Sequence, residues 1–416
     1  MRRLQKFGLL AALYLSQGLP YGFFTQALPV LLRKAGLSLP AIGFASLLTL
    51  PWALKFLWAP AVDRLHSEKF GLRRSWLIPL QIISVILFST MSLLDPSADL
   101  RVVLIAFLFT NLLAAAQDIA TDGLAVDLLT EKDRGWANGI QVAGYRIGMV
   151  IGGGALLAIY DWVHWSGVMI GMALITLACS LPVFAFREPK HTVLPDSRFL
   201  ASEIFHFLLK PGAWAWAAVL LLYKCGHSAA TGMLRPWLVD SGYTMTDIAW
   251  ILGTAGFVAG FFGAMTGGAL ASKFSKNRAR LLIVLGCLQC VSVMSYLWPL
   301  LGEHATYKVA MSAAFDHFTS GMATVALFTM MMDACSPERA AADYTLQACI
   351  VVLAQQLAPA LSGLSAERFG YQSHFMISAA VSVGALGVTT LLLRRETTRR
   401  LLNPVHQSVT LQDRSD

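Results

Sequence analysis

Apolar runs long enough to cross a bilayer, about 20 residues each, recur from Phe7 to Leu393 with only short polar breaks between them. No other feature of the chain limits its possible folds so sharply. The runs read as twelve spans, at 7–32, 40–62, 75–94, 101–129, 136–159, 165–186, 213–238, 246–271, 281–301, 307–333, 343–364 and 372–393. Several are longer than a bilayer requires, which implies tilt or extension past the hydrocarbon. Composition agrees: 13% of the 416 residues are charged and the mean hydropathy is +0.60, against roughly 25% charged in an ordinary globular domain. A water-soluble protein is excluded, and an all-α membrane protein is expected.

The N-terminal MRRLQKFGLLAALYLSQG has the basic start and apolar centre of a secretory signal. Its apolar run nevertheless continues to Leu32 without a convincing cleavage site, so it reads as an uncleaved first span. A net charge of +8 raises the question of a nucleic-acid partner, but most of the basic residues fall in short loops, and orientation explains them better. With both termini in the cytoplasm, the far side carries few basic residues, Arg33, Lys34, Arg101, Lys308 and Arg368, in loops or at span ends. The positive-inside rule therefore predicts cytoplasmic N- and C-termini and no nucleic-acid partner. Cys287 and Cys290 form a CxxC, but on a helix and with no second pair, so they read as small apolar residues; no metal and no cofactor is expected.

The longest polar break, 187–212, divides the chain into six spans plus six. Bundles at 1–186 and 213–393 and a cytoplasmic tail at 394–416 follow, and RFLASEIFHFLLK within the linker predicts a short helix on the membrane surface. The halves resemble each other: LYLSQGLPYGFFTQALPVLLRKAGLSLPAIG around Tyr14 and Gly36 parallels LYKCGHSAATGMLRPWLVDSGYTMTDIAW around Tyr223 and Gly242. A two-fold repeat of six spans is the physical plan of an alternating-access carrier.

After span two comes KFLWAPAVDRLHSEKFGLRRSW, with Asp63-Arg64 followed by Arg73-Arg74. Topology alone accounts for the arginines but not for the acid. Ion pairs of modest energy in such a loop can act as a gate that breaks during opening, and Asp127, near the cytoplasmic end of span four, is assigned to the same network. At the matching place in the second half, GGALASKFSKNRARLL keeps the basic residues but has Ser272 in place of the acid.

Ionisable residues within spans are expensive unless paired or wetted, and so mark function by default. Asp118 and Asp122 share one face of span four, and by depth Lys55 of span two and Arg146 of span five lie in the same layer; the four are expected to form an intramembrane network. Structural and functional roles for that network are both open. In the second half, Lys224 and His227 of span seven stand opposite Asp316 and His317 of span ten, the repeat equivalent of span four. A carboxylate beside an imidazole can exchange a proton in the physiological range, which makes this group the candidate for proton coupling or substrate binding. Tyr14, Gln17, Tyr21 and Gln26 of span one, with Gln141 and Tyr145 of span five, are the candidate cavity residues.

The combination of SQGLPYGF, KFLWAPAVDR, QDIATDG and GYRIGMVIGGG resembles the AmpG-like permeases of the major facilitator superfamily. The span ten to eleven stretch DHFTSGMATVALFTMMMDACSPERAAADYTLQACIVVLA looks closer to the siderophore permeases called RhtX and FptX. The resemblance implies a secondary transporter of the bacterial inner membrane, proton-coupled and without an ATPase, and no Walker-type phosphate loop is present. An importer of an iron-loaded siderophore is the first expectation, an AmpG-type muropeptide permease the alternative, and a drug exporter shares the same charge logic. An intramembrane enzyme is disfavoured, since neither a metal-ligand set nor a serine elbow is found. A monomer is expected.

Overall fold

The computed structural model describes residues 3–28, 50–67, 69–96, 98–188, 201–300 and 305–402. The side chain of Gln26, the start of span two, most of the linker and the end of the tail lie outside the described residues. The described chain is helical apart from short connections and one bridge between Ser67 and Gly71. The principal helices are α1 (Arg3–Gly22), α2 (Ala59–Arg64), α3 (Arg74–Met91), α4 (Leu100–Leu128), α5 (Glu131–Met149), α6 (Tyr160–Ala185), α7 (Cys225–Asp240), α8 (Gly256–Lys273), α9 (Arg278–Ser295), α10 (Thr306–Asp333) and α11 (Ala340–Arg394).

Six helical stretches among the described residues are long and apolar enough to cross a membrane: Arg74–Met91, Leu100–Leu128, Trp162–Ala185, Trp250–Lys273, Ser275–Leu300 and Pro337–Arg394. The last covers two predicted spans. They divide at Gly370, whose φ of 76° lies in the left-handed region that glycine adopts without a Cβ clash. Elsewhere the helices are interrupted where function was expected. Lys55 opens a 3₁₀ turn, Lys55–Leu57, between the helical stretches Leu50–Leu54 and α2. Lys224 lies between the helix Ala213–Leu222 and α7, capping the latter. π-helical turns follow α1 at Phe23–Ala27 and α5 at Val150–Ala155, and precede α8 at Ala249–Ala255; such turns recur at functional sites.

The chain forms two compact units. The first comprises 1–128, 140–204 and 336–345, the second 129–139, 205–335 and 346–416. In the first unit α4 is the most enclosed helix. Leu19, Phe23, Phe107, Val168 and Met169 form one apolar cluster, and Leu9, Leu13, Ile119, Ala120 and Leu124 another, which also holds Ala341. Helices α1 and α5 pack backbone to backbone: a Cβ on Gly148 would stand 2.2 Å from the Leu15 carbonyl oxygen, and one on Gly18 would stand 2.1 Å from that of Tyr145. In the second unit Leu234, Trp237, Val293, Tyr296, Val309 and Phe375 form the corresponding apolar cluster. The linker segment Ala201–Leu209 is a 3₁₀ helix, with Phe207 buried and Phe205 and Leu209 exposed.

Candidate functional site

In the first unit the carboxylates of α4 go to different partners. The Lys55 ammonium pairs with Asp118, and both side chains are largely buried. Asp122 accepts hydrogen bonds from the Tyr14 hydroxyl at 2.9 Å and from the Gln141 amide at 3.1 Å. Gln17 donates to Thr121 at 2.8 Å, and Gln117 donates to the Ser16 hydroxyl at 2.8 Å. Tyr14 and Gln17 are therefore buried and bonded to α4, and Gln17 also borders a small pocket with Ser16, Pro20 and Gln117. Arg146 corrects the expected network more strongly, because it forms no ion pair with Asp118 or Asp122. Shared depth brought it into the same layer, but its direction around α5 is different.

Beside the Lys55–Asp118 pair stand three mutually contacting rings from three segments. Tyr21 lies 5.8 Å from Trp52 and 5.7 Å from Tyr145, and Trp52 lies 6.4 Å from Tyr145, centroid to centroid. Trp52 is held by its indole N–H, which donates to Asn111 at 3.1 Å, and Lys55 Nζ lies 5.7 Å from its ring centroid. All three rings are half-buried. The sequence singled out the two tyrosines but not Trp52 or Asn111, whose residue types alone read as packing.

The loop after α2 folds around Arg73. Its Nη1 donates to Asp63 at 2.7 Å and its Nε to Asp127 at 2.8 Å. Asp63 also accepts the Ala341 and Ala342 backbone N–H groups at 3.1 and 2.7 Å, at the start of α11. A carboxylate there meets both unsatisfied donors and the positive end of the helix dipole. Burial pushes the Asp63 carboxyl above its ordinary value, against the pull of Arg73 and of those N–H groups. The expected group of Asp63, Arg73 and Asp127 is thus brought together. Arg74 instead donates to the Phe184 carbonyl at 3.3 Å, and the backbone N–H groups of Arg73 and Arg74 are received by Glu188, which the sequence did not flag. The carbonyl of Arg64 is taken by His66 at 2.9 Å.

The second unit has a counterpart that the sequence showed only in part. Asp333 accepts from Arg134 at 2.7 Å and from Arg278, and Arg278 also reaches the Glu131 carbonyl. Ser272, where the repeat lost its acid, accepts the Trp136 N–H at 3.0 Å near the start of α5. The acceptor role at a helix start survives with a neutral hydroxyl.

Within the same unit a buried polar chain joins α7, α9 and α10. His227 Nδ1 lies 3.1 Å from Asp316, and Ser292 donates to that carboxylate at 2.9 Å. Lys224 donates to the Ser320 carbonyl and hydroxyl at 3.1 and 3.0 Å, and His227 Nε2 lies 3.2 Å from the same hydroxyl. The expected pairing of Asp316 with His227 is present, and Ser320 connects it to Lys224. His317 turns toward α8, where a Cβ on Gly256 would stand 2.8 Å from its ring.

The chain is similar to known transporters along nearly its whole length. The Major Facilitator Superfamily pattern matches residues 10–354. The Anhydromuropeptide permease of Escherichia coli (strain K12) is 28% identical over 394 residues, covering 94% of this chain and 79% of that protein. Putative transporter AmpG 1 of Rickettsia conorii is 22% identical over 377 residues, covering 85% of this chain and 90% of its own length. Among solved structures, the transporter FucP in its outward conformation superposes with a TM-score of 0.68 at 13% identity, covering 93% of this chain and 97% of FucP. These relatives favour the muropeptide alternative over the siderophore reading drawn from residues 316–354. From the family match and the shared helical fold, the chain belongs to the Major Facilitator Superfamily and is a multi-pass membrane transporter of small molecules.

Proposed function

We propose that the protein carries an anhydromuropeptide, an amino sugar joined to a short peptide, across the bacterial inner membrane into the cytoplasm, driven by the proton gradient. The observation that carries this reading is the half-buried ring cluster of Tyr21, Trp52 and Tyr145 beside the buried Lys55–Asp118 pair. Rings with polar tips stack on sugar faces and still hydrogen-bond their hydroxyls. Likeness to the E. coli permease over 94% of this chain supports the same substrate class. The His227–Asp316 pair, 3.1 Å apart, supplies the group that takes up and releases the coupled proton, since an imidazole can act as both proton donor and acceptor. Networks around Arg73 and Arg278 serve as cytoplasmic contacts that break and reform during the cycle.

The test is uptake of radiolabelled anhydromuropeptide into cells that depend on this gene for it, with and without a protonophore, alongside ferric siderophores as competing substrates. Protonophore-sensitive muropeptide uptake is expected. Iron-siderophore uptake with no muropeptide uptake overturns the reading.

A further inference from the structure

Among the intramembrane candidates of the first unit, Lys55, Asp118, Asp122 and Arg146, the networks above leave the role of Arg146 unexplained. It lies ten residues beyond Trp136, about 15 Å along α5 at 1.5 Å per residue. That depth is too great for its head to reach the interface by extending alone. A guanidinium stays protonated in proteins, so deprotonation is no escape from the cost of a charge at this depth. Yet Arg146 forms no hydrogen bond or ion pair among the described residues. The acids of α4 are already engaged, Asp118 by Lys55 and Asp122 by Tyr14 and Gln141. Gly148, two residues on, is turned to α1, which places Arg146 on nearly the opposite side of α5. The hydroxyls of Tyr21 and Tyr145 likewise have no hydrogen-bond partner among the described residues.

We infer that Arg146 is the counter-cation for a carboxylate of the transported solute, with Tyr145 and Tyr21 presenting hydroxyls and ring faces to its uncharged part. This rests on the muropeptide reading for the identity of the solute, and it assigns Arg146 to the ligand instead of to the α4 acids. The planar guanidinium matches a carboxylate with two parallel hydrogen bonds, which an ammonium cannot reproduce. An ion pair completed only by the solute also makes the loaded site electrically cheaper than the empty one, so binding itself favours the occupied state.

The test uses the purified full-length protein and three probes: an anhydromuropeptide with free peptide carboxylates, the same compound with those carboxylates amidated, and the anhydro-disaccharide without peptide, its freed lactyl carboxyl converted to the amide. Wild type is expected to bind the acid about tenfold or more tighter than the amide, in line with a charge-assisted hydrogen-bonded pair. Arg146→Gln is expected to remove that preference and to leave disaccharide affinity unchanged, with Arg146→Lys between the two. Equal binding of acid and amide by wild type, or an undiminished preference in R146Q, overturns the proposal. If R146Q does not elute as a single folded species, R146K decides: acid affinity equal to wild type overturns the inference. If wild type binds none of the sugar compounds, the muropeptide reading falls on its own. An N-acetylated tripeptide acid and its amide, measured on wild type and R146Q, then judge the anion site, which stands if the acid preference depends on Arg146 and falls if it does not.

Discussion

Lys55 and Asp118, 63 positions apart in sequence, meet as a buried ion pair within the first unit. The lysine arrives at the break between two short helices of span two, and the acid comes from the middle of the long α4. Withdrawing two charges from water costs several kcal/mol each, which their attraction recovers only when both are present.

Lys55→Met or Asp118→Asn alone is therefore expected to destabilise the protein by about 3–5 kcal/mol, and the double variant by less than the sum. Thermal unfolding of the four proteins in detergent checks this cycle. Additive losses would show that the two side chains act independently.

In the Arg73 network, Asp63→Ala strips Arg73 of one carboxylate and leaves two backbone N–H groups of α11 unpaired. Transport is expected to fall by about tenfold or more, as for loss of a buried charge partner, at unchanged abundance in the membrane. Ser272→Ala loses one neutral hydrogen bond, about 1 kcal/mol, and should cost only a few-fold. Initial uptake rates normalised to protein in the membrane distinguish the two; equal effects would mean that the acid and the hydroxyl play the same energetic part.

Helix packing gives a contrast within one stretch. Gly148→Ala drives a methyl into the Leu15 carbonyl, whereas a Cβ on Gly154 meets nothing within 4 Å. The first substitution is expected to cost about 1–3 kcal/mol or more through overpacking, the second less than about 0.5 kcal/mol. Melting temperatures of the two variants check the difference, and a harmless Gly148→Ala would show that α1 and α5 part easily.

For coupling, Asp316→Asn is expected to abolish gradient-driven accumulation while leaving counterflow exchange partly intact, because exchange of solute for solute needs no net proton movement. His227→Gln should act in the same direction. Parallel measurement of accumulation and counterflow in proteoliposomes decides; equal loss of both would place Asp316 in substrate binding or structure.

The sequence made the helices legible because a bilayer imposes length and apolarity on each span separately, and counting depth along those spans correctly paired Asp316 with His227. Depth is height only, however. It put Arg146 beside Asp118, and the turn of α5 takes the side chain elsewhere. It also could not tell that Tyr14 points into Asp122 while Tyr21 meets Trp52, since the two tyrosines differ by direction around α1 and not by type. Asp333 is the repeat equivalent of Asp127, but its position at the very end of α10 gives it the sequence character of a loop residue. Ser272 stands where the repeat calls for an acid, and its hydroxyl accepts the Trp136 N–H, a contact that no sequence spacing marks.

The composition of the compact units bears on how the protein is made. Residues 129–139 belong to the second unit and 336–345 to the first, so each unit includes a short piece supplied from the other half of the chain. A ribosome that has released only residues up to the linker has built a first unit still lacking its 336–345 segment, and Asp63 then has no α11 backbone to receive. Completion of the first half must wait for synthesis of nearly the whole second half. Two fragments divided at the linker would each be incomplete alone and would become whole only by exchanging these segments.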